Sequence, residues 1–177
     1  YASSRTYDHR GASVTPTSKR CNTTFYQRDN LGLVIGETDP EGRTVTLVRD
    51  GEGRVLELTD PAGGAVVVQR DDNGDPVLIQ NQRGGITRIH YGDKGLVREV
   101  VDARGQTTRY QHDSHGNVIV VDGPDGQKRY EYDFWGRRLR EYLPGGRTFA
   151  FGHSAGGKIV SITDPMGRTR HNQYAAL

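Results

Sequence analysis

The chain has 177 residues, 24 basic and 22 acidic, for a net charge of +2; these charges are interspersed, which excludes the basic block expected of a nucleic-acid binder. Only 33% of residues are hydrophobic while 24 are glycine, so turn formers stand where a helical core would need Leu and Ile. A single cysteine, Cys21, excludes an intrachain disulfide framework, and no apolar run approaches the ~18 residues of a membrane-spanning helix.

Residues 1–24 read as a degenerate first repeat or arm. They carry Tyr7-Asp8-His9-Arg10-Gly11, but Thr15 to Arg20 has no strand pattern. The start at Tyr1 without Met or a signal pattern, and the end inside a unit at Leu177, predict a piece of a longer polypeptide. Residues 25–177 are predicted to be a single repeat array. Anchor glycines fall at Gly11, Gly32, Gly53, Gly74, Gly95, Gly116, Gly136 and Gly157, at a spacing of 21 residues except for the 20 between Gly116 and Gly136. A second set lies ten residues after each anchor, at Gly42, Gly63, Gly84, Gly105, Gly126, Gly146 and Gly167, with Cys21 in that place in the first unit. Eight units in register define a repeat architecture.

Each unit predicts turn, strand, turn, strand. An acidic residue stands three positions before the anchor at Asp8, Asp29, Asp50, Asp71, Asp113 and Asp133; Ser154 can replace it, and Gly92 departs from the rule. Asp at the head of a type I turn accepts a hydrogen bond from the backbone two residues on, and the following Gly supplies the left-handed conformation that returns the chain. The second turns repeat the device, with Pro at their second position in Asp39-Pro40-Glu41-Gly42, Asp60-Pro61-Ala62-Gly63 and Asp164-Pro165-Met166-Gly167. Between turns the residues alternate. Val45 and Leu47 are predicted on one face, and Leu56 and Leu58 opposite Val55, Glu57 and Thr59. Two reversals per unit imply antiparallel neighbours, so the expected fold is all-β: about eight ~21-residue β-hairpins in one spiralling sheet.

Tyr132-Asp133-x-x-Gly136-Arg137-x-Leu139, Asp50-x-x-Gly53-Arg54-x-Leu56 and the Asp-Pro-x-Gly-Arg-Thr runs at Asp39 and Asp164 resemble the YD repeat of Rhs proteins, shared with toxin-complex C proteins and teneurins. The resemblance covers the chain from Tyr7 to Tyr174. It implies a segment of a hollow cocoon that encloses a C-terminal toxin or effector, secreted or held at the bacterial cell surface after a cytoplasmic stage. The partners it implies are other segments of the same shell, the enclosed toxin polypeptide and secretion-apparatus spike proteins, as in type VI secretion and bacterial competition. The paired Asp-Pro-x-Gly self-cleavage segment of that family is not recognisable: the Asp-Pro-x-Gly copies here read as ordinary turns.

The residues singled out are therefore structural: Asp29, Gly32, Gly42, Asp50, Gly53, Gly63, Asp113, Gly116, Asp133, Gly136 and Gly167 as turn formers. No catalytic, cofactor or metal site is expected. His112-Asp113-Ser114-His115 lacks a third ligand for zinc. The turn carboxylates come one per turn, where calcium needs several oxygens at close spacing. Ser154 in Gly152-His153-Ser154-Ala155-Gly156 sits at a turn and not in a nucleophile elbow, and Cys21 has no histidine placed with it. The competing reading is a cell-surface adhesion or carbohydrate-binding array, with Tyr132 and Trp135 stacking a ligand.

Overall fold

The computed structural model describes residues 6–7, 13–17 and 22–174, with side-chain surroundings from residue 23 onward. It divides into two units of β-structure, one up to Arg88 and one from Ile89. In the first, β1 (Thr6–Tyr7), β2 (Ser13–Thr17), β3 (Asn22–Arg28), β4 (Val34–Thr38), β5 (Thr44–Arg49), β6 (Val55–Thr59), β7 (Ala65–Arg70), β8 (Pro76–Gln80) and the start of β9 (Ile86–Tyr91) follow one another as an antiparallel meander. In the second, a short 3-10 turn (Asp93–Gly95) precedes β10 (Val97–Val101), β11 (Thr107–His112), β12 (Val118–Gly123), β13 (Gly126–Tyr132), β14 (Arg138–Leu143), β15 (Arg147–His153), β16 (Ile159–Thr163) and β17 (Thr169–His171), again each paired antiparallel with the next. The fold is all-β. Ser13–Thr17 pairs with β3, Val14 opposite Phe25, although Pro16 gives no N–H to the ladder and the sequence pattern predicted no strand from Thr15 on. Residues 18–21, with Cys21 among them, lie outside the described residues.

The 20-residue interval has a local cause. Asp122 pairs with Gln127 and Gly123 with Gly126, so Pro124-Asp125 is a two-residue loop. At Asp102 the N–H of Asp102 bonds the carbonyl of Gln106, closing a loop of three residues. One residue is missing from that one turn, and the strands on either side keep their pattern.

The two kinds of turn differ in what they do to the sheet. In six hairpins closed by the first turn the register slips by one: Gln27 pairs with Gly36 but Arg28 with Val34, and the same slip recurs at Val48/Arg49, Gln69/Arg70, Gln111/His112, Glu131/Tyr132 and Gly152/His153. The second-turn hairpins keep register throughout. The extra residues are Ile35, Leu56, Val77, Ile119, Leu139 and Val160, always the apolar residue three after the anchor glycine. A β-bulge bends its strand and increases the right-handed twist, so the repeat carries one bend per unit, always on the same side of the hairpin.

The bulge also corrects the predicted faces. Leu47 pairs with Leu58 and Leu58 with Val66, which fixes one face. Arg49 lies two residues from Leu47 and pairs with Val55, so Val55 joins Leu56 and Leu58 on that face instead of opposing them. Strict alternation fails there because two residues of β6 face one of β5. The opposite face carries Gly36, Thr46 and Thr59 in one row and Val48, Glu57, Val67 and Gln80 in the next. No hydrophobic side chain among the described residues is buried, and Gly36 and Gly74 are the buried positions among them. A single sheet layer has no second layer to close a core against its apolar face.

Candidate functional site at the repeat turns

The turns repeat one hydrogen-bond pattern. At Asp29 the backbone N–H of Gly32 bonds the Asp29 carbonyl and the N–H of Asp29 bonds the Leu33 carbonyl, while Asp29 Oδ1 accepts from the N–H groups of Leu31 and Leu33 at 2.9 Å each. Asp39, Asp50, Asp60, Asp71, Asp102, Asp113, Asp133 and Asp164 accept the same two N–H groups, and Asn81 does so with its amide oxygen. Gly32, Gly42, Gly53, Gly63, Gly116, Gly136 and Gly167 all have φ between +76° and +88°, the left-handed region that costs an L-residue most.

The second carboxylate oxygen explains the arginine after the glycine. Asp50 Oδ2 accepts from Arg54 Nε at 2.7 Å, Asp133 Oδ2 from Arg137 Nε at 2.5 Å, Asp39 Oδ2 from Arg43 Nε at 2.6 Å and Asp164 Oδ2 from Arg168 Nε at 2.7 Å. At Asp113 the partner is the side-chain amide of Asn117. These contacts favour the ionised form. The hydrogen bond from Arg54 holds Asp50 below the usual carboxylate range against a smaller desolvation effect; the Asn117 amide does so for Asp113, and the Arg168 backbone N–H for Asp164. At Asp39 and Asp133 desolvation is the largest single influence and acts upward, but the backbone and side chain of Arg43 or Arg137 together outweigh it.

Gly92 has no side chain to act as acceptor, and that turn differs: it is a 3-10 turn with Lys94 at φ 69° and Gly95 at φ 69°, closed by the Gly92 N–H on the Leu96 carbonyl at 2.8 Å. Ser154 uses its hydroxyl oxygen to accept the Lys158 N–H at 3.2 Å, the part Asp Oδ1 plays elsewhere. Near His115 the nearest polar side-chain partner is Ser114, Oγ to Nδ1 at 3.4 Å. Among the described residues no three His, Cys, Asp or Glu side chains gather as a metal site.

At four places, the residues just before turn residues Asp50, Asp71 and Asp133, and the equivalent Tyr174, tie one repeat to the one before it. The Tyr132 hydroxyl donates to the Val118 carbonyl at 2.9 Å, and Tyr174 donates to the Ile159 carbonyl at 2.9 Å. In the first unit arginine does this: Arg49 Nε reaches the Val34 carbonyl at 3.0 Å and Arg70 Nη2 the Val55 carbonyl at 3.2 Å, with Nη1 of each on its own turn carbonyl, Gly53 or Gly74. Each accepting carbonyl belongs to the residue just before a bulge. Sequence reading placed Tyr132 among ligand-stacking residues; the structure places its hydroxyl on the neighbouring repeat. Trp135 lies at the turn tip, 74% exposed, next to Phe134 at 82%. An open groove of about 800 Å³ in the second unit is lined by Gln111, Gln127, Arg129, Glu131 and Tyr142 among others.

The fold and these turns define a β-hairpin repeat protein whose unit is Asp-x-x-Gly-Arg-x-apolar. The RHS Repeat family model matches residues 28–65 and 91–128, and these two stretches carry the RHS repeat. Solved structures with a similar fold include TcdB2–TccC3 without its hypervariable C-terminal region (TM-score 0.73, 14% identity, 94% of this chain and 11% of that one). Others are the Photorhabdus luminescens Tc holotoxin pore with a substituted TccC3 (0.68, 15%, 90% and 11%) and TcdB2–TccC3 (0.70, 15%, 90% and 11%). At such identity the likeness is one of fold, and the chain spans 11% of the length of those solved chains. No curated protein matches it.

Proposed function

We propose that this chain is a wall segment of an Rhs-type shell that encloses a C-terminal toxin or effector polypeptide. The observation that carries the reading is the bulge repeated at six first turns, always on the strand that follows the turn. Within each of the two units it bends and twists the strands of a single-layer sheet at regular intervals, as a wall that must wrap around contents needs. The turn glycines fix the first turns, Asp50–Arg54 and Asp133–Arg137 brace two of them, and the side chains of Arg49, Arg70, Tyr132 and Tyr174 hold successive repeats together. The likeness to TcdB2–TccC3 over 94% of the chain supports it. The wall acts by containment, with other shell segments completing the closure and secretion-apparatus spike proteins as the delivery partners. The test is native mass spectrometry of the full-length parent, repeated under denaturing conditions. A C-terminal polypeptide released as a separate mass only on denaturation supports the reading; a single uncleaved mass in both removes self-cleaved cargo from it.

The groove of the second unit favours one competing reading, carbohydrate binding. Gln111, Gln127 and Arg129 supply donors beside Glu131, and Ile119, Val120, Leu143 and the Tyr130 and Tyr142 rings supply apolar surface, a mixed lining that suits the hydroxyls and ring faces of a sugar. Glycan-array binding by the parent, lost in Tyr142→Ala and unaffected by Trp135→Ala, would move this reading ahead.

A further inference from the structure

The fold requires glycine at position 74 and leaves the side chain before it unused. Gly74 has φ +87°, and the Arg54 guanidinium of the preceding repeat lies over it where a Cβ would stand. Asn73 is exposed at the tip of the same turn. Its side chain takes no part in closing that turn, whose acceptors are the Asp71 carbonyl and Asp71 Oδ1. The equivalent positions hold Leu31, Glu52, Lys94, His115, Trp135 and Gly156. Asn73-Gly74 is therefore the one Asn-Gly pair in the chain.

An asparagine amide is an electrophile for the backbone nitrogen that follows it. Once the Gly74 N–H has lost its proton to base, the nitrogen can attack Asn73 Cγ. The new N–Cγ bond closes a five-membered succinimide, the bond from Cγ to the side-chain nitrogen breaks, and that nitrogen leaves as ammonia with a proton from solvent. One water then opens the ring at either carbonyl, giving aspartate or isoaspartate. Glycine favours closure because no Cβ hinders the approach. Asn30, Asn81 and Asn117 precede Leu31, Gln82 and Val118, and the Asp-Gly pairs at Asp50, Asp122 and Asp125 offer a carboxylate, a poorer electrophile.

The closed turn restrains this reaction. The Gly74 N–H donates to the Asp71 carbonyl at 2.9 Å. Asp71 Oδ1 accepts from the N–H groups of Asn73 and Asp75 at 3.0 and 2.9 Å, and Arg70 Nη1 donates to the Gly74 carbonyl at 3.0 Å. The nitrogen is released only when these bonds open, as turns do locally. The products then act on the turn. Isoaspartate lengthens the main chain by one atom between residues 73 and 74, which takes the Gly74 N–H out of register with the Asp71 carbonyl. Aspartate keeps the chain length but adds a fourth carboxylate to the run that holds Asp71, Asp72 and Asp75, and position 75 lacks the arginine found at Arg54 and Arg137.

We propose that Asn73-Gly74 is a self-modification site: it converts to isoaspartate when its turn opens, and the conversion leaves the β7–β8 hairpin unlatched. The product carries a free α-carboxylate on an isoaspartyl linkage, the group that an isoaspartyl-directed methyltransferase esterifies. The inference stands on this turn alone and is independent of the shell reading, whose test is a separate cargo mass.

Peptide mapping of the purified full-length parent, aged at mildly alkaline pH, tests it, with isoaspartate located by fragmentation. Isoaspartate should form at residue 73 at least about tenfold faster than at Asn30, Asn81 or Asn117. Asp71→Ala removes the acceptor of two turn N–H groups and should quicken the conversion roughly 5–30-fold. The aged protein should also exchange its β7 and β8 amides faster, with β4 unchanged, and Asn73→Ser should abolish that change. Conversion at residue 73 no faster than at Asn81 overturns the site. A rate unmoved by Asp71→Ala overturns control by the turn. Equal loosening of β7 and β8 in aged Asn73→Ser overturns the unlatching, because the damage then lies elsewhere.

Discussion

Replacing single turn glycines by alanine separates backbone strain from steric conflict, because the Gly42 and Gly53 turns share the Asp-capped hydrogen-bond pattern and nearly the same φ, although only the second carries a bulge, and they differ in what a Cβ would meet. Gly42 has φ +80° with nothing within 4 Å of an added Cβ, whereas Gly53 has φ +81° and its Cβ would lie 2.6 Å from Leu33 Cδ1. Alanine at either position is forced into the left-handed region, at a cost of about 1–2 kcal/mol. At Gly53 the Leu33 methyl must also move. It is the far end of a half-buried side chain that can rotate, so the added cost belongs near the lower end of the ~1–3 kcal/mol of overpacking. Gly42→Ala should therefore weaken its hairpin by about 1–2 kcal/mol and Gly53→Ala by about 2–3 kcal/mol. Global unfolding is the wrong readout, since a repeat array opens locally and need not be two-state. Native-state amide exchange reads local opening. In amides of β4 and β5 around Gly42, exchange should quicken roughly 5–30-fold, and in β5 and β6 around Gly53 by more. Gly53→Asn keeps the steric conflict but relieves much of the strain, because Asn tolerates this conformation; it should fall below Gly53→Ala. Equal effects at the two glycines would refute the steric step. A Gly53→Asn variant no better than alanine would refute the strain step.

Acid should loosen the turns. Asp39, Asp50, Asp113, Asp133 and Asp164 are held below their unfolded value of 3.8 in the fold; the stability they contribute is complete above that value and is lost as pH falls below it towards the folded-state values. Amide protection factors of the flanking strands, corrected for the intrinsic pH dependence of exchange and measured from pH 6 down to pH 2.5, should drop below about pH 4, and Asp50→Asn with Asp164→Asn should flatten the drop around those two turns, since Asn81 shows that an amide oxygen still closes the turn; an unchanged slope would count against these carboxylates. Tyr132→Phe removes only the hydroxyl bonded to Val118, and a lost hydrogen bond of this kind is worth about 0.5–1.5 kcal/mol, so exchange in β12 should quicken about 2–10-fold while β16 stays unchanged. Arg49→Tyr should preserve the link to the Val34 carbonyl and Arg49→Leu should break it, leaving the carbonyls of Val34 and Gly53 without this partner at about 1–3 kcal/mol; equal exchange in the two variants would show that position 49 is not a link between repeats.

Much of this fold is legible in the sequence because its information is local. Gly every 21 residues with Asp three before it dictates the turn, and two reversals per period leave antiparallel pairing as the consequence. The facing of Val55 was not legible by alternation, which assumes one residue opposite one. The signal was present in another form: apolar doublets Val34-Ile35, Val55-Leu56, Val118-Ile119 and Ile159-Val160 stand two and three residues after their anchor glycines, as a bulge that turns both residues to one face requires. The link at Tyr132 was hidden for a different reason. Its acceptor lies 14 residues away and is a backbone carbonyl, which leaves no mark on residue identity, and Arg49 and Arg70 meet equivalent carbonyls with unrelated chemistry.

The same locality bears on how such a sheet stays intact. With no buried hydrophobic side chain among the described residues, stability cannot be concentrated in a core; it is distributed over ladders, turn carboxylates and the links from one unit to the next. Among the described residues each first turn except that at Gly92 is fixed within five residues by a carboxylate or hydroxyl, and the links from positions 49, 70, 132 and 174 reach back one unit. Local damage is then confined: opening one hairpin removes its own turn bonds and the links on either side, while more distant units keep theirs. A layer built this way can be lengthened repeat by repeat, and can tolerate a one-residue deletion such as that at Pro124-Asp125, without losing register elsewhere. Extensibility and tolerance follow from the same nearest-neighbour energetics, and they are the properties a wall needs if its size is to match what it surrounds.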